Sequence, residues 1–205
     1  MAPDDKEYYG PVSLNLGNCY LELGDVTTAK RFYEQACSVF DFRDPDLEYA
    51  WSTAALSGLG LARSQLGDKQ GAMEAHAQAI AQSPKDVTAL TNFGSALISA
   101  GQPAQALGHL REAVAVAQAL SKASAEAYFT YGYALKVARD LPGAVSAYQK
   151  ALEVQPQRSD LHLNLGVALK SWGRIEGAQF HLRKAVALGH PKSAQIQVQL
   201  SAMGF

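Results

Sequence analysis

Cysteine is scarce in this chain: only Cys19 and Cys37 occur among 205 residues. Two thiols build neither a disulfide framework nor a zinc ribbon, which needs four ligands in close pairs. They are expected to be small buried side chains. Charge is sparse as well, at 18% of residues with a net charge of −1. A general nucleic-acid binder carries a basic excess that displaces counterions, so no nucleic-acid role is expected. No apolar run reaches the length that spans a bilayer, so no membrane insertion is expected. The segment from Met1 to Tyr9 is polar and acidic. It has no basic head or apolar stretch of a secretory leader, and no lipidation cysteine, so a cytoplasmic location is the expectation.

Chemical signatures are equally thin. The five histidines, His76, His109, His162, His181 and His190, fall on different predicted helices and faces. No His-Glu-x-x-His, no Gly-x-Ser-x-Gly and no glycine-rich phosphate loop is present. Gly58-Leu59-Gly60 resembles part of a dinucleotide turn, but no strand precedes it. Both glycines read better as close helix packing. The chain is therefore expected to be no enzyme, with no metal and no cofactor.

What is present is a repeat. Leu16-Gly17, Leu59-Gly60, Phe93-Gly94, Tyr131-Gly132 and Leu165-Gly166 start five copies of one pattern. Twelve residues after each glycine stands Ala29, Ala72, Ala106, Ala144 or Ala178, and seven further on Ala36, Ala79, Ala113, Ala151 or Ala185. A larger residue lies three places before the second alanine: Tyr33, His76, Leu110, Tyr148 and Leu182. Glycine on one helix and alanine on the next let two helices approach closely, since little side chain intervenes. Gly24-Asp25, Gly67-Asp68 and Gly173 read as helix stops, with Asp25 and Asp68 suited to cap the helix that follows. Arg139-Asp140-Leu141-Pro142 takes that place in the fourth copy, with Pro142 tolerated in a first turn.

This pattern resembles the tetratricopeptide repeat, a unit of 34 residues built as two antiparallel helices. The resemblance implies an all-α, right-handed α-solenoid of five helix pairs. It covers residues 10–190, with repeats at about 10–43, 53–86, 87–120, 125–158 and 159–191. Residues 1–9 are expected to be a tail and 192–205 a capping helix. Ile196, Val198 and Leu200 alternate in a way that also suits a strand. A lone repeat cannot bury its apolar face, so a single cooperative stack is expected.

The spacings between successive glycines are 43, 34, 38 and 34 residues. The two long junctions resemble the lengthened repeats of kinesin light chain and its relatives, where both helices grow by about a turn. A plain loop insertion is the alternative. Phe40, Leu47, Tyr49 and Trp51 supply apolar faces at the first junction, interrupted only by Pro45. Cys19 and Cys37 are expected to face each other across the first pair, reduced and buried.

In the resembled family the first helix of each pair lines the inner surface, where a partner peptide lies. The place two residues before each glycine holds Asn15, Gly58, Asn92, Thr130 and Asn164. This resembles the asparagine ladder of O-GlcNAc transferase and importin-like superhelices, in which carboxamides grip a peptide backbone from both its donor and acceptor sides. The interrupted run also fits asparagines that bond between helices. Asn18, Ser95 and Tyr133 follow their glycines directly, Phe129 lies three places before its own, and Lys136 and Lys170 share one column. The aromatic and cationic half suits an acidic group.

The expected role is thus a protein–protein adaptor or scaffold holding a protein or peptide partner in a concave groove. The alternative is a subunit fixed in a larger complex through its convex face and ends, with Tyr8, Tyr9, Phe42, Tyr49 and Trp51 as exposed aromatics. Chaperone C-terminal tails are not an expected partner. The carboxylate clamp of co-chaperones would need lysine at Leu14 and asparagine at Gly58.

Overall fold

The computed structural model describes residues 4–39 and 48–204, and among them every regular element is a helix. They are α1 (Asp4–Glu22), α2 (Val26–Val39), α3 (Glu48–Gln65), α4 (Lys69–Gln82), α5 (Val87–Ser99) and α6 (Pro103–Ala119). After these come α7 (Ala125–Val137), α8 (Leu141–Val154), α9 (Ser159–Ser171), α10 (Ile175–Ala187) and α11 (Ser193–Ser201). The chain divides after Gln102 into two compact units, α1–α5 and α6–α11. Within the units α1 packs on α2, α3 on α4, α7 on α8 and α9 on α10. First helices also touch one another, α1 with α3, α3 with α5, and α7 with α9.

The sequence register is the packing register. All ten alanines of the repeat are buried, as are Tyr33, His76, Leu110, Tyr148 and Leu182. Within the units Tyr33, His76, Tyr148 and Leu182 each lie against the glycine of the partner helix. A Cβ on Gly17 would stand 2.7 Å from the Tyr33 ring, one on Gly132 2.9 Å from Tyr148, and one on Gly166 2.8 Å from Leu182. Gly60 faces the His76 ring in the same way. Fully burying one such apolar side chain is worth about 1.5–3 kcal/mol, so the repeated pairs dominate the stability of each unit.

Helix ends follow the expected chemistry. Gly24 has φ of 81°, and beyond it the Asp25 amide bonds back to the Tyr20 carbonyl, closing α1. Asp25 then accepts from the Thr28 amide at 3.1 Å and Asp68 from Gly71 at 2.9 Å. In the fourth copy Arg139 itself adopts φ of 67°, and Asp140 caps α8, with Pro142 in its first turn.

Two expectations change. Residues from Asp4 to Tyr9 belong to α1 rather than to a tail. The second long junction lengthens one helix rather than two, and at the first the lengthening among the described residues is at the start of α3. α3 starts twelve residues before its glycine, where α5, α7 and α9 start seven before theirs. α6 runs to Ala119, while α7 keeps the ordinary length of 13 residues. Ser121 at φ of 51° ends that extension, so the remaining insertion is turn. Phe40, Phe42, Pro45, Leu47 and the side chains of Tyr8 and Tyr49 lie outside the described residues.

At the C-terminus α11 buries Ile196 and Leu200 and leaves Val198 exposed. The four-residue spacing puts the first two on one helical face, where they meet Leu182 and Ala185 of α10.

Candidate functional site

In the first unit a groove of about 290 Å³ opens on α1, α3 and α5. Asn18, Leu21, Ser57, Leu61, Thr88 and Asn92 line it, and the Tyr33 ring and Gly58 form part of its floor. Tyr33 reaches this floor from α2, donating its hydroxyl to Asn18 Oδ1 at 2.8 Å. Burial raises the proton affinity of that hydroxyl, so it stays a donor. Gly58 lies so close to the same ring that a Cβ there would collide with it. The gap in the asparagine series thus has a packing cause: Tyr33 occupies the space a side chain at 58 would need. Asn92 is half-buried, and its carboxamide makes no hydrogen bond among the described residues. Asn15 and Ser95 are exposed and lie outside the groove lining. Asp86, on the rim, is occupied in capping α5 through the Ala89 amide.

The second unit presents different chemistry. Lys136 Nζ sits 4.6 Å above the Tyr133 ring and donates to Asn164 Oδ1 at 3.3 Å. Asn164 in turn donates through Nδ2 to the Asp160 carbonyl at 2.9 Å, so its carboxamide is engaged on both sides. No carboxylate bridges Lys136 among the described residues, and burial lowers its proton affinity. Phe129 packs 5.9 Å from Tyr148 and lies under the Arg158 guanidinium at 5.1 Å. Arg158 is neutralised by Asp160 at 2.9 Å and Glu126 at 2.8 Å. Lys170 is exposed, with no hydrogen bond or ion pair among the described residues. Lys136, Tyr133 and Asn164 therefore form one cluster, with Phe129 tied instead to Arg158.

Sequence reasoning missed two features and misjudged a third. His162 and His181 meet, with their Nδ1 atoms 2.9 Å apart, although they lie on different helices. The separation of nineteen positions matches the step from a first helix to its partner, which was the available signal. A hollow of about 460 Å³ on the outer face of α10, around Glu176, Phe180 and Arg183, was not foreseen either. Cys19 is exposed and only Cys37 is partly buried, so the expectation of two buried thiols is corrected. Cys19 follows Asn18 at the edge of the inner face, while Cys37 packs against the core of the first unit. Both are free.

Among the described residues no helix is long and apolar enough to cross a membrane. No group of three or more histidine, cysteine, aspartate or glutamate side chains able to hold a metal occurs among them.

Comparison with known proteins agrees with this architecture. Tetratricopeptide repeat models match residues 11–40, 91–157 and 147–180. No curated protein matches the sequence. Among solved structures, PilF of Pseudomonas aeruginosa is similar with a TM-score of 0.74 at 17% identity, covering 98% of this chain and 94% of its own. MamA of Desulfovibrio magneticus RS-1 has a TM-score of 0.67 at 24% identity, with 88% and 94% covered. YrrB, described as a TPR protein with an unusual peptide-binding site, has a TM-score of 0.65 at 21% identity, with 93% and 90% covered. Five buried glycine–alanine registers, capped helix pairs and the matching repeat models lead to one assignment: this chain belongs to the tetratricopeptide repeat family.

Proposed function

We propose that this protein is an adaptor whose first-helix faces hold an extended peptide segment of a partner protein. The observation that carries the reading is the groove of the first unit. There Asn92 offers an unspent carboxamide beside Asn18, Ser57 and Thr88, over a floor of Leu21, Leu61 and the Tyr33 ring. A carboxamide can donate to a peptide carbonyl and accept from its N–H, which grips a backbone without reading its side chains. Apolar floor residues supply the burial that backbone bonds alone do not. YrrB, described as having an unusual peptide-binding site, supports the reading by analogy as a protein of the same fold.

The face of the second unit, taken by itself, offers different chemistry. Lys136 is a half-buried cation with a neutral amide and an aromatic ring as its neighbours, so an acidic side chain would complete it. Lys170 adds a solvated charge on the same first-helix series. Asn164 is a bridge between repeats and a positioner of Lys136, not a grip on the ligand. Chaperone tails, nucleic acid and catalysis have no place in this proposal. The clamp positions hold Leu14 and Gly58, and the net charge is −1.

The test is capture of the natural partner from source cells, followed by titration of its binding segment. Lys136→Met should weaken an acidic segment and flatten the salt dependence of binding. Equal affinity and equal salt dependence in parent and variant would exclude the second-unit face from the contact.

A further inference from the structure

His162 and His181 carry a feature that peptide binding does not use. His162 is buried on α9, and its Nε2 lies 3.1 Å from the Pro156 carbonyl oxygen. A carbonyl only accepts, so Nε2 of His162 bears the proton. In the neutral ring Nδ1 is then bare, and it must accept from Nδ1–H of His181 on α10, 2.9 Å away. The rings stack with centroids 5.2 Å apart, and Phe180 meets His181 edge-on at 5.0 Å. Both tautomers are thereby set by one fixed backbone oxygen.

We infer that this pair is an acid-released latch fastening α9 to α10, and through α10 the terminal helix α11. One added proton can reside on the outer nitrogen of His181 and keep the Nδ1–H···Nδ1 link. A second must go to Nδ1 of His162, which sets two N–H groups head to head at 2.9 Å. The rings then have to part. α10 packs on both α9 and α11, and α11 meets it through Ile196 and Leu200, so parting the rings loosens that end of the unit.

Other charges do not take over this role. On the elements packed around the pair, Glu126 and Asp160 are spent on Arg158. Lys136 is bonded to Asn164, Lys150 faces the Tyr128 ring, and Arg183 has partners of its own. Arg174 faces the Trp172 ring and Asp140 caps α8. Arg139, Glu153, Lys170, Glu176, Lys184, His190 and Lys192 complete the charged set, and α11 carries none. Burial first, and the charge of His162 second, push His181 down to about 4, with no carboxylate opposing them. A group whose proton affinity is lowered by folding destabilises the folded form as pH falls. The loss begins near the ordinary histidine value of about 6.5 and is complete near 4.

The experiment uses the full chain. Histidine ring nitrogen NMR at pH 7 should show the proton of His162 on Nε2 and that of His181 on Nδ1. Amide exchange, corrected for intrinsic rates, should lose up to about tenfold protection per pH unit in α9–α11 between pH 6 and 4. His181→Asn can still donate to Nδ1 of His162, and it should remove most of that acid sensitivity. A His162 proton on Nδ1, or equal protection of α9–α11 at pH 7 and 4.5, would overturn the latch. Undiminished acid sensitivity in His181→Asn would overturn it too. Should that variant not fold, the tautomers and exchange of the parent decide the matter.

Discussion

The Tyr33 hydroxyl donates to Asn18 at 2.8 Å, whereas the corresponding Tyr148 hydroxyl is buried with no partner. The two tyrosines hold the same register position, and the residue fifteen places earlier decides the difference. It is Asn18 in the first copy and Tyr133 in the fourth. Removing each hydroxyl should therefore have opposite consequences. Tyr33→Phe loses a net hydrogen bond worth about 0.5–1.5 kcal/mol, and Tyr148→Phe relieves an unpaired polar atom and should be neutral or stabilising. Denaturant unfolding of both variants checks this. Equal destabilisation by the two would contradict the assigned bonding.

Gly58→Leu should destabilise the first unit by about 1–3 kcal/mol, because the new side chain would have to displace the Tyr33 ring. Gly108→Ala is the comparison, since a Cβ there meets open space. Thermal melting of the two variants should differ by several degrees, with Gly58→Leu the lower. Matching melting temperatures would mean that the floor of the groove can rearrange.

The helix pairs were legible because glycine, alanine and a large residue recur at fixed offsets, and within the units the glycine meets the large residue in four of the five copies. Capping by Asp25 and Asp68 was legible for the same local reason. Part of what was not legible depended on neighbours from other repeats. Gly58 reads as a missing asparagine until Tyr33 is seen to fill its place. Asn164 reads as a free carboxamide until Lys136 and the Asp160 carbonyl are found on it. Cys19 reads as core because cysteine is usually buried, yet its position faces outward. His162 and His181 are unremarkable in sequence, and only the crossing of α9 and α10 brings their rings together.

His76 occupies a core position where other copies carry tyrosine or leucine, and its Nδ1 is buried without a partner. Burial pushes its proton affinity down to about 4. The folded state thus binds this proton less readily than the unfolded chain. Stability is full above about 6.5 and falls by up to about 1.4 kcal/mol per pH unit toward 4. His76→Leu, the residue found at 110 and 182, should flatten that dependence and raise stability at neutral pH. Unfolding curves at pH 7.5 and 5 measure both effects. An unchanged slope with pH would show that His76 is not protonated on unfolding in this range.

The two thiols should react at very different rates. Cys19 is exposed, while burial pushes the Cys37 thiol up to about 11, leaving little thiolate at neutral pH. A small alkylating reagent at pH 7.5 should label one site quickly and the second only slowly or after denaturation. Peptide mapping identifies which. Fast modification of Cys37 in the native protein would contradict its place against the core of the first unit.

The central claim is that a partner peptide lies on the first-helix faces, and the affinity of the Asn92→Ala variant tests it most directly. With the captured partner segment in isothermal titration, this substitution should weaken binding roughly two- to twelve-fold. That is the equivalent of a net hydrogen bond of about 0.5–1.5 kcal/mol. Phe180→Ala, on the outer face of α10, should leave the affinity unchanged. Parent-like affinity in Asn92→Ala together with lost binding in Phe180→Ala would contradict the account and move the contact to the outer face.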